Sequence, residues 1–195
     1  MKKVNKDQGR IVIFTGDGKG KTTAALGLAV GAAAHKQQVM IVQFLKGGGY
    51  TGELFAASYL APYLTIKQFG YGCPIAAEIK SGEQLCTKCG VCFRENRKEI
   101  NEFAPQALAF ATEVLHAGKC DLLVMDEISH ALRHQLISMQ AVLDLLASKP
   151  IDCDIVLTGR NMPEELRLIA DQVTVCQPVK HPMKQGTAAR RGTEY

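Results

Sequence analysis

The glycine-rich loop TGDGKGKTT, residues 15–23, ends in Gly20, Lys21 and Thr22, the order that closes the phosphate-loop pattern GxxxxGK followed by Ser or Thr. Thr15 stands where that pattern opens with glycine, and glycines occupy positions 16 and 18 instead. Glycines let consecutive backbone N–H groups curve around an anion, and a helix starting near Lys21 adds its own donors and dipole. Lys21 supplies a cation for phosphate oxygens, Thr22 a hydroxyl for Mg²⁺, and Lys19 a second cation at the mouth. The candidate polyphosphate set is therefore Gly16, Asp17, Gly18, Lys19, Gly20, Lys21, Thr22 and Thr23. Asp126 and Glu127 end a second apolar run, LLVMDE, and such a pair holds a magnesium water shell or positions a water. The rival role for Asp126 is to cap the following helix. A dinucleotide fingerprint fits poorly, because GDGKGKT carries a central lysine. Together the two motifs imply a nucleoside triphosphate with Mg²⁺.

A different chemistry is suggested by LCTKCGVCF, residues 85–93. Cys86, Cys89 and Cys92 are spaced by three, and Cys73 lies upstream, followed by Pro74. CxxCxxC matches the first three ligands of a bacterial ferredoxin set, whereas short zinc clips usually show two separate CxxC pairs. A 4Fe–4S cluster fits the spacing best. Structural Zn²⁺ is the alternative, and thiols without metal are the third reading. Cys120, Cys153 and Cys176 fall in predicted strands, where cysteine behaves as a small hydrophobe. His130 and His134 are four apart on a predicted helix without a third ligand, and are read as surface or packing residues.

The elements that must position these groups alternate. Strands are predicted at 10–16, 38–45, 64–69, 120–127, 153–160 and 172–179. Helices are predicted over 22–35, 53–60, 97–116 (interrupted or offset at Pro105), 134–150 and 163–171, the last with Pro163 at its first position. That order predicts an α/β fold with a mostly parallel sheet flanked by helices. Ligands in such folds bind beyond the carboxyl ends of the strands, where residues 16–22, 126–127 and 158–160 all fall. The region 70–95 breaks the pattern and reads as an irregular cysteine-rich excursion from a single domain over 1–195.

The chain has 195 residues, 47% of them hydrophobic, which suffices for a full core. Net charge is +4 and the pI about 8.7, with basic residues concentrated at the two ends. An anionic small ligand accounts for that balance, and no nucleic acid is required. The polar start and short apolar runs give no secretory signal or membrane span, so a cytoplasmic, reducing setting is expected, where seven cysteines point to metal or redox chemistry before disulfides.

Several stretches in order along the chain, TGDGKGKTTAALGLAVGAA, VMIVQFLKG, LLVMDEISHAL, IVLTGRNMPEEL and PVKHPMKQGTAARRGTEY, resemble the P-loop type of ATP:corrinoid adenosyltransferase of the cobalamin pathway. The resemblance implies a RecA-like P-loop fold and transfer of the 5′-deoxyadenosyl group of ATP to the Co(I) centre of a reduced corrinoid. Triphosphate is released, in adenosylcobalamin biosynthesis or salvage. It places Gly16 to Thr22 around the polyphosphate, Asp126 or Glu127 with Thr22 on Mg²⁺, Arg160 and Lys46 over phosphate, and Glu53 on the ribose or a nearby polar part. His181 and the tail after it would contact nucleotide. Lys21, Thr22 and Arg160 are the expected catalytic groups. It also implies a homodimer and a separate electron donor such as a flavodoxin or ferredoxin. The family's corrin-facing aromatic pair has no clear counterpart. Tyr71 and Phe93 are the nearby rings, and the chain has no tryptophan. The cysteine segment lies where relatives carry that wall, so a one-electron cluster there would suit reduction of Co(II). Two other readings use the same pocket: a RecA-like or kinase-like ATP hydrolase, and a non-catalytic corrinoid- or nucleotide-binding switch.

Overall fold

A computed structural model describes residues 8–47, 52–72, 75, 78, 83 and 97–180. Six strands form one sheet: β1 Ile11–Thr15, β2 Val39–Phe44, β3 Leu64–Phe69, β4 Leu122–Asp126, β5 Asp154–Thr158 and β6 Gln172–Val175. Their spatial order is β3-β2-β4-β5-β1-β6, and every pairing is parallel. The registers Ile11↔Ile155, Val39↔Leu122 and Leu122↔Asp154 keep the strands level, so all six end at one edge.

Parallel strands must be covered on both faces, and the apolar runs of β1, β2, β4 and β5 meet that demand by alternation. Ile13, Val42, Phe44, Leu123, Met125, Ile155 and Leu157 form one core, and Phe14, Ile41, Val124 and Val156 belong to the other. Helix α1 (Lys21–Ala34) covers the second face with Ala25, Ala29 and Ala33, four apart and almost fully buried. Small side chains at that spacing bring helix and sheet close together. Helix α2 (Gly52–Tyr59) adds Ala57 to the same cluster. The first face takes α3 (Arg97–His116), α4 (Ile128–Arg133) and α5 (Met139–Ala147), while α6 (Glu164–Ile169) adds Leu166.

The predicted fold class holds, with corrections at the element ends. Helix α3 runs through Pro105 without interruption. Proline there forfeits one helical hydrogen bond, but Ala104, Ala107, Leu108 and Ala111 around it are buried, and tertiary packing outweighs local propensity. The helix expected from His134 starts at Met139 instead. Gln135 takes a left-handed backbone, and Ser138 caps α5 by accepting from the Ala141 N–H at 3.1 Å. The helix expected to carry both His130 and His134 is the short α4, which holds His130 and ends with His134 as its C-cap. Pro163 is the N-cap of α6 rather than its first helical residue. Cys120, Cys153 and Cys176 all fall just outside the strands. Cys153 is fully buried, and the other two are half-buried.

The turn after β5 holds α4 in place. Gly159 has φ +143°, and a Cβ there would run into the Ser129 side chain on α4. The Ser129 hydroxyl donates to the Arg160 carbonyl at 2.7 Å. Gly159→Ala is expected to cost about 1–3 kcal/mol through strain and displacement of α4, measurable as a lower urea midpoint at unchanged m-value.

Candidate active site

Because the sheet is parallel, Thr15, Asp126 and Thr158 arrive together at its carboxyl edge, and the three polar motifs follow them. The loop after β1 is pinned from the side. The Gly18 N–H donates to the Cys176 carbonyl at 2.8 Å. Gly16 has φ +99°, and a Cβ there would strike that same carbonyl, so the loop needs glycine at this point. Gly20 is the N-cap of α1, which begins at Lys21. The Lys21 side chain is buried, and its Nζ donates to the carbonyls of Gly16 at 2.7 Å and Gly18 at 2.8 Å. Two of the three ammonium donors thus fix the cation inside the loop, and one remains for an anion. Asp17, Lys19 and Thr23 are exposed around it.

Asp126 is the anchor of the site and is completely buried. Its Oδ1 accepts from Thr158 Oγ1 at 2.6 Å and Thr22 Oγ1 at 2.8 Å. Its Oδ2 accepts from Lys46 Nζ and Gln43 Nε2, both at 3.0 Å. Burial pushes the carboxyl up. The Lys46 charge and the hydrogen bonds from Thr158, Lys46 and Thr22 more than offset it, and hold Asp126 below the usual carboxylate range. The role of helix cap is ruled out for Asp126, because Glu127 takes the N-cap of α4 and makes no side-chain cap bond. Glu127 has φ 63°, and its N–H donates to Thr158 Oγ1 at 3.0 Å. Burial and the Asp126 charge raise its carboxyl, against the pull of Lys21, Lys46 and Arg160.

Lys46 also lies 3.6 Å from Glu53 Oε1, so Glu53 joins the same cluster. Burial alone would lower the Lys46 ammonium, but Asp126, Glu53 and Glu127 raise it, so it stays charged. Gln43 was quoted within a motif but not singled out. It is fully buried in β2, donates to Asp126 and to Glu53 Oε1 at 3.2 Å, and accepts from Gln68 Nε2 at 2.8 Å. Thr158 and Ser129 were missed likewise. The available signal was a polar residue inside or closing an otherwise apolar strand, which must find partners when buried.

Thr22 Oγ1 and the ionised Asp126 are hard oxygen donors, adjacent and beside the Lys21 loop, and this donor set suits Mg²⁺. Arg160 is exposed just past β5 and lines a polar cavity of about 250 Å³ with Glu127, Ser129, His130 and Arg133. Tyr71 is half-buried beyond β3. Cys73, Cys86, Cys89, Cys92, Phe93 and His181 lie outside the described residues. His130 and His134 stack with ring centroids 4.5 Å apart, and no cluster of three metal-ligating side chains exists among the described residues. No helix among the described residues is long and apolar enough to cross a membrane.

The buried carboxylate gives a stability prediction. The folded Asp126 carboxyl sits below its ordinary value of 3.8, so its contribution is present above that value and is lost as the pH falls through the folded one. Asp126→Asn leaves Lys46 without its closest anion and should destabilise by about 3 kcal/mol at pH 7. In urea titrations the gap to the unaltered protein should narrow as the pH drops below 3.8.

Comparison with known proteins accords with this geometry. The family profile of ATP:corrinoid adenosyltransferases BtuR/CobO/CobP matches residues 7–195. A corrinoid adenosyltransferase of Sinorhizobium sp. is 33% identical over 190 residues, covering 97% of this chain and 81% of that protein. Corrinoid adenosyltransferases of Escherichia coli K12 and Salmonella typhimurium LT2 are 29% and 28% identical, each covering 97% of this chain and 87% of theirs. Among solved structures, a KaiC-like protein from Pyrococcus horikoshii OT3 superposes with a TM-score of 0.52 at 19% identity. It covers 87% of this chain and 73% of that chain, a likeness that shows the fold alone. The sheet order, the phosphate loop and a profile match over nearly the whole length agree: the chain belongs to the ATP:corrinoid adenosyltransferase family.

Proposed function

We propose that the protein transfers the 5′-deoxyadenosyl group of ATP to the Co(I) centre of a reduced corrinoid, releasing triphosphate, in adenosylcobalamin biosynthesis or salvage. The observation that carries this is the Lys21 ammonium, caged by loop carbonyls beside the Thr22–Asp126 pair. That arrangement suits a leaving polyphosphate. The corrinoid cobalt is the nucleophile: its electron pair forms the Co–C bond to the 5′ carbon, and the C5′–O bond breaks with its electrons leaving on triphosphate. The chain's own groups then need only position the partners and neutralise charge. Lys21, Thr22, Lys46 and Arg160 act on the triphosphate, with the loop from Gly16 to Thr23 around it. Glu53 orients the ribose. Mg²⁺ would be held by Thr22 and Asp126 with Glu127 adjacent, and would supply further charge neutralisation. His181, Tyr71 and Phe93 are assigned to the substrates on family resemblance. The same resemblance supports a homodimer and an external one-electron donor of the flavodoxin or ferredoxin kind.

An anaerobic assay with ATP, Mg²⁺ and reduced corrinoid should give one intact triphosphate per Co–C bond, followed by the corrin absorbance shift and by phosphorus NMR. Sustained orthophosphate release without dependence on corrinoid would sink the reading in favour of an ATP hydrolase. Tight binding of both substrates without turnover would favour a switch. Lys21→Ala should lower kcat about 100-fold or more.

Cys73, Cys86, Cys89 and Cys92 form, on spacing alone, a metal-holding set for an iron–sulfur cluster, with Zn²⁺ the alternative. Anaerobic reconstitution with iron and sulfide should give charge-transfer absorbance and, on reduction, an EPR signal. Stoichiometric zinc in protein purified without oxygen would overturn the cluster.

A further inference from the structure

Two arginines stand beside the site, and the charge of Arg160 acts on Glu127 across it. Arg133, in the last turn of α4, and Arg160, just past β5, are both exposed. Neither forms an ion pair among the described residues. Both line the polar cavity of about 250 Å³, in which Glu127 is the only acidic residue. Their fields converge on His130 in the same cavity: burial, His134, Arg133 and Arg160 together hold its imidazole below the ordinary range. The cavity therefore presents two guanidiniums, the Glu127 carboxyl and an imidazole held toward its neutral form.

Arg133 and Ser129 also line a second cavity, of about 570 Å³, whose other walls include Leu132, Leu136, Ile137, Met139 and Pro163. Its volume lies in the range of small-molecule sites, and its walls are mainly apolar. A cationic cleft at the strand ends thus adjoins an apolar one, with Arg133 common to both. A polyphosphate has no use for the apolar part, and Lys21, Thr22, Lys46 and Arg160 already serve its charges in the reading above. An apolar macrocycle bearing an anionic arm matches both parts. A guanidinium fork suits a carboxylate and a phosphodiester equally.

We propose that the Arg133–His130 side of the polar cavity, together with its apolar extension, takes the edge of the corrinoid, with Arg133 binding an anionic substituent at its periphery and Arg160 left to the triphosphate. That substituent is either a free side-arm carboxylate or the phosphodiester of a nucleotide loop. Arg133 is then a residue that sets which corrinoids are preferred. This rests on the adenosyl-transfer reading above and extends it to substrate choice.

The test compares Arg133→Ala, Arg133→Lys and the unaltered protein on three reduced corrinoids. Cobyrinic acid a,c-diamide carries free carboxylates, cobalamin carries a phosphodiester, and cobinamide carries neither. Arg133→Ala should raise KM about 10-fold or more for an anionic corrinoid, leave cobinamide within about twofold, and leave KM for ATP unchanged. Arg133→Lys should recover part of the loss. A change confined to cobyrinic acid a,c-diamide identifies the carboxylate, and one confined to cobalamin the phosphodiester. An equal change for all three, no change for any, or a rise in KM for ATP together with weaker inhibition by triphosphate would overturn the proposal. Failure of the unaltered protein to adenosylate any of the three would instead remove the functional reading beneath it.

Discussion

A carboxylate without solvent access has to be given its hydrogen bonds by the protein, and around Asp126 three separate pieces of chain supply four donors. Thr22 comes from the first turn of α1, Gln43 from inside β2, Lys46 from the loop after β2, and Thr158 from the end of β5. One buried charge shared among these donors ties the phosphate loop, the second strand and the fifth strand into one unit. The level, parallel registers make this feasible, since they bring those strand ends to a common edge. The electrostatics of the active site and the topology of the sheet are one constraint seen at two scales.

The hydrogen-bond chain does not stop at the carboxylate. Gln43 bonds Glu53 on one side and Gln68 of β3 on the other. It thereby links the centre of the sheet to the edge strand from which the cysteine-rich region departs. Lys46 spans Asp126 and Glu53 in the same way. The polar residues buried at this edge form a connected network rather than isolated pairs, and a glutamine serves as junction because it donates and accepts at once.

Much of this was legible in the sequence, for identifiable reasons. The strands announced themselves as short β-branched runs, and the three strand-end motifs fell on the edge where parallel sheets bind ligands. Lys21, Thr22 and Asp126 were readable because their types and spacing carry one chemistry. Gln43 and Thr158 were harder, since a lone polar residue in an apolar strand does not say which distant group it meets. The boundary between α4 and α5 was misjudged because apolar spacing continues through His134 and Gln135, while the left-handed Gln135 and the Ser138 cap decide where the helix starts. Pro105 misled in the opposite sense. Its local penalty is real, but the alanines packed beside it outweigh that penalty.

Strand β3 lies at one margin of the sheet, bonded only to β2, and the chain leaves it at Phe69 and comes back in α3 at Arg97. The phosphate loop, Asp126 and Thr158 lie instead at the ends of β1, β4 and β5. The pairings of β2 with β4, β4 with β5 and β5 with β1 are all made without β3. The strands that carry Gln43, Asp126 and Thr158 are each paired on both sides, whereas β3 sits at the margin, so the polar cluster is anchored in the part of the sheet that no single edge contact decides.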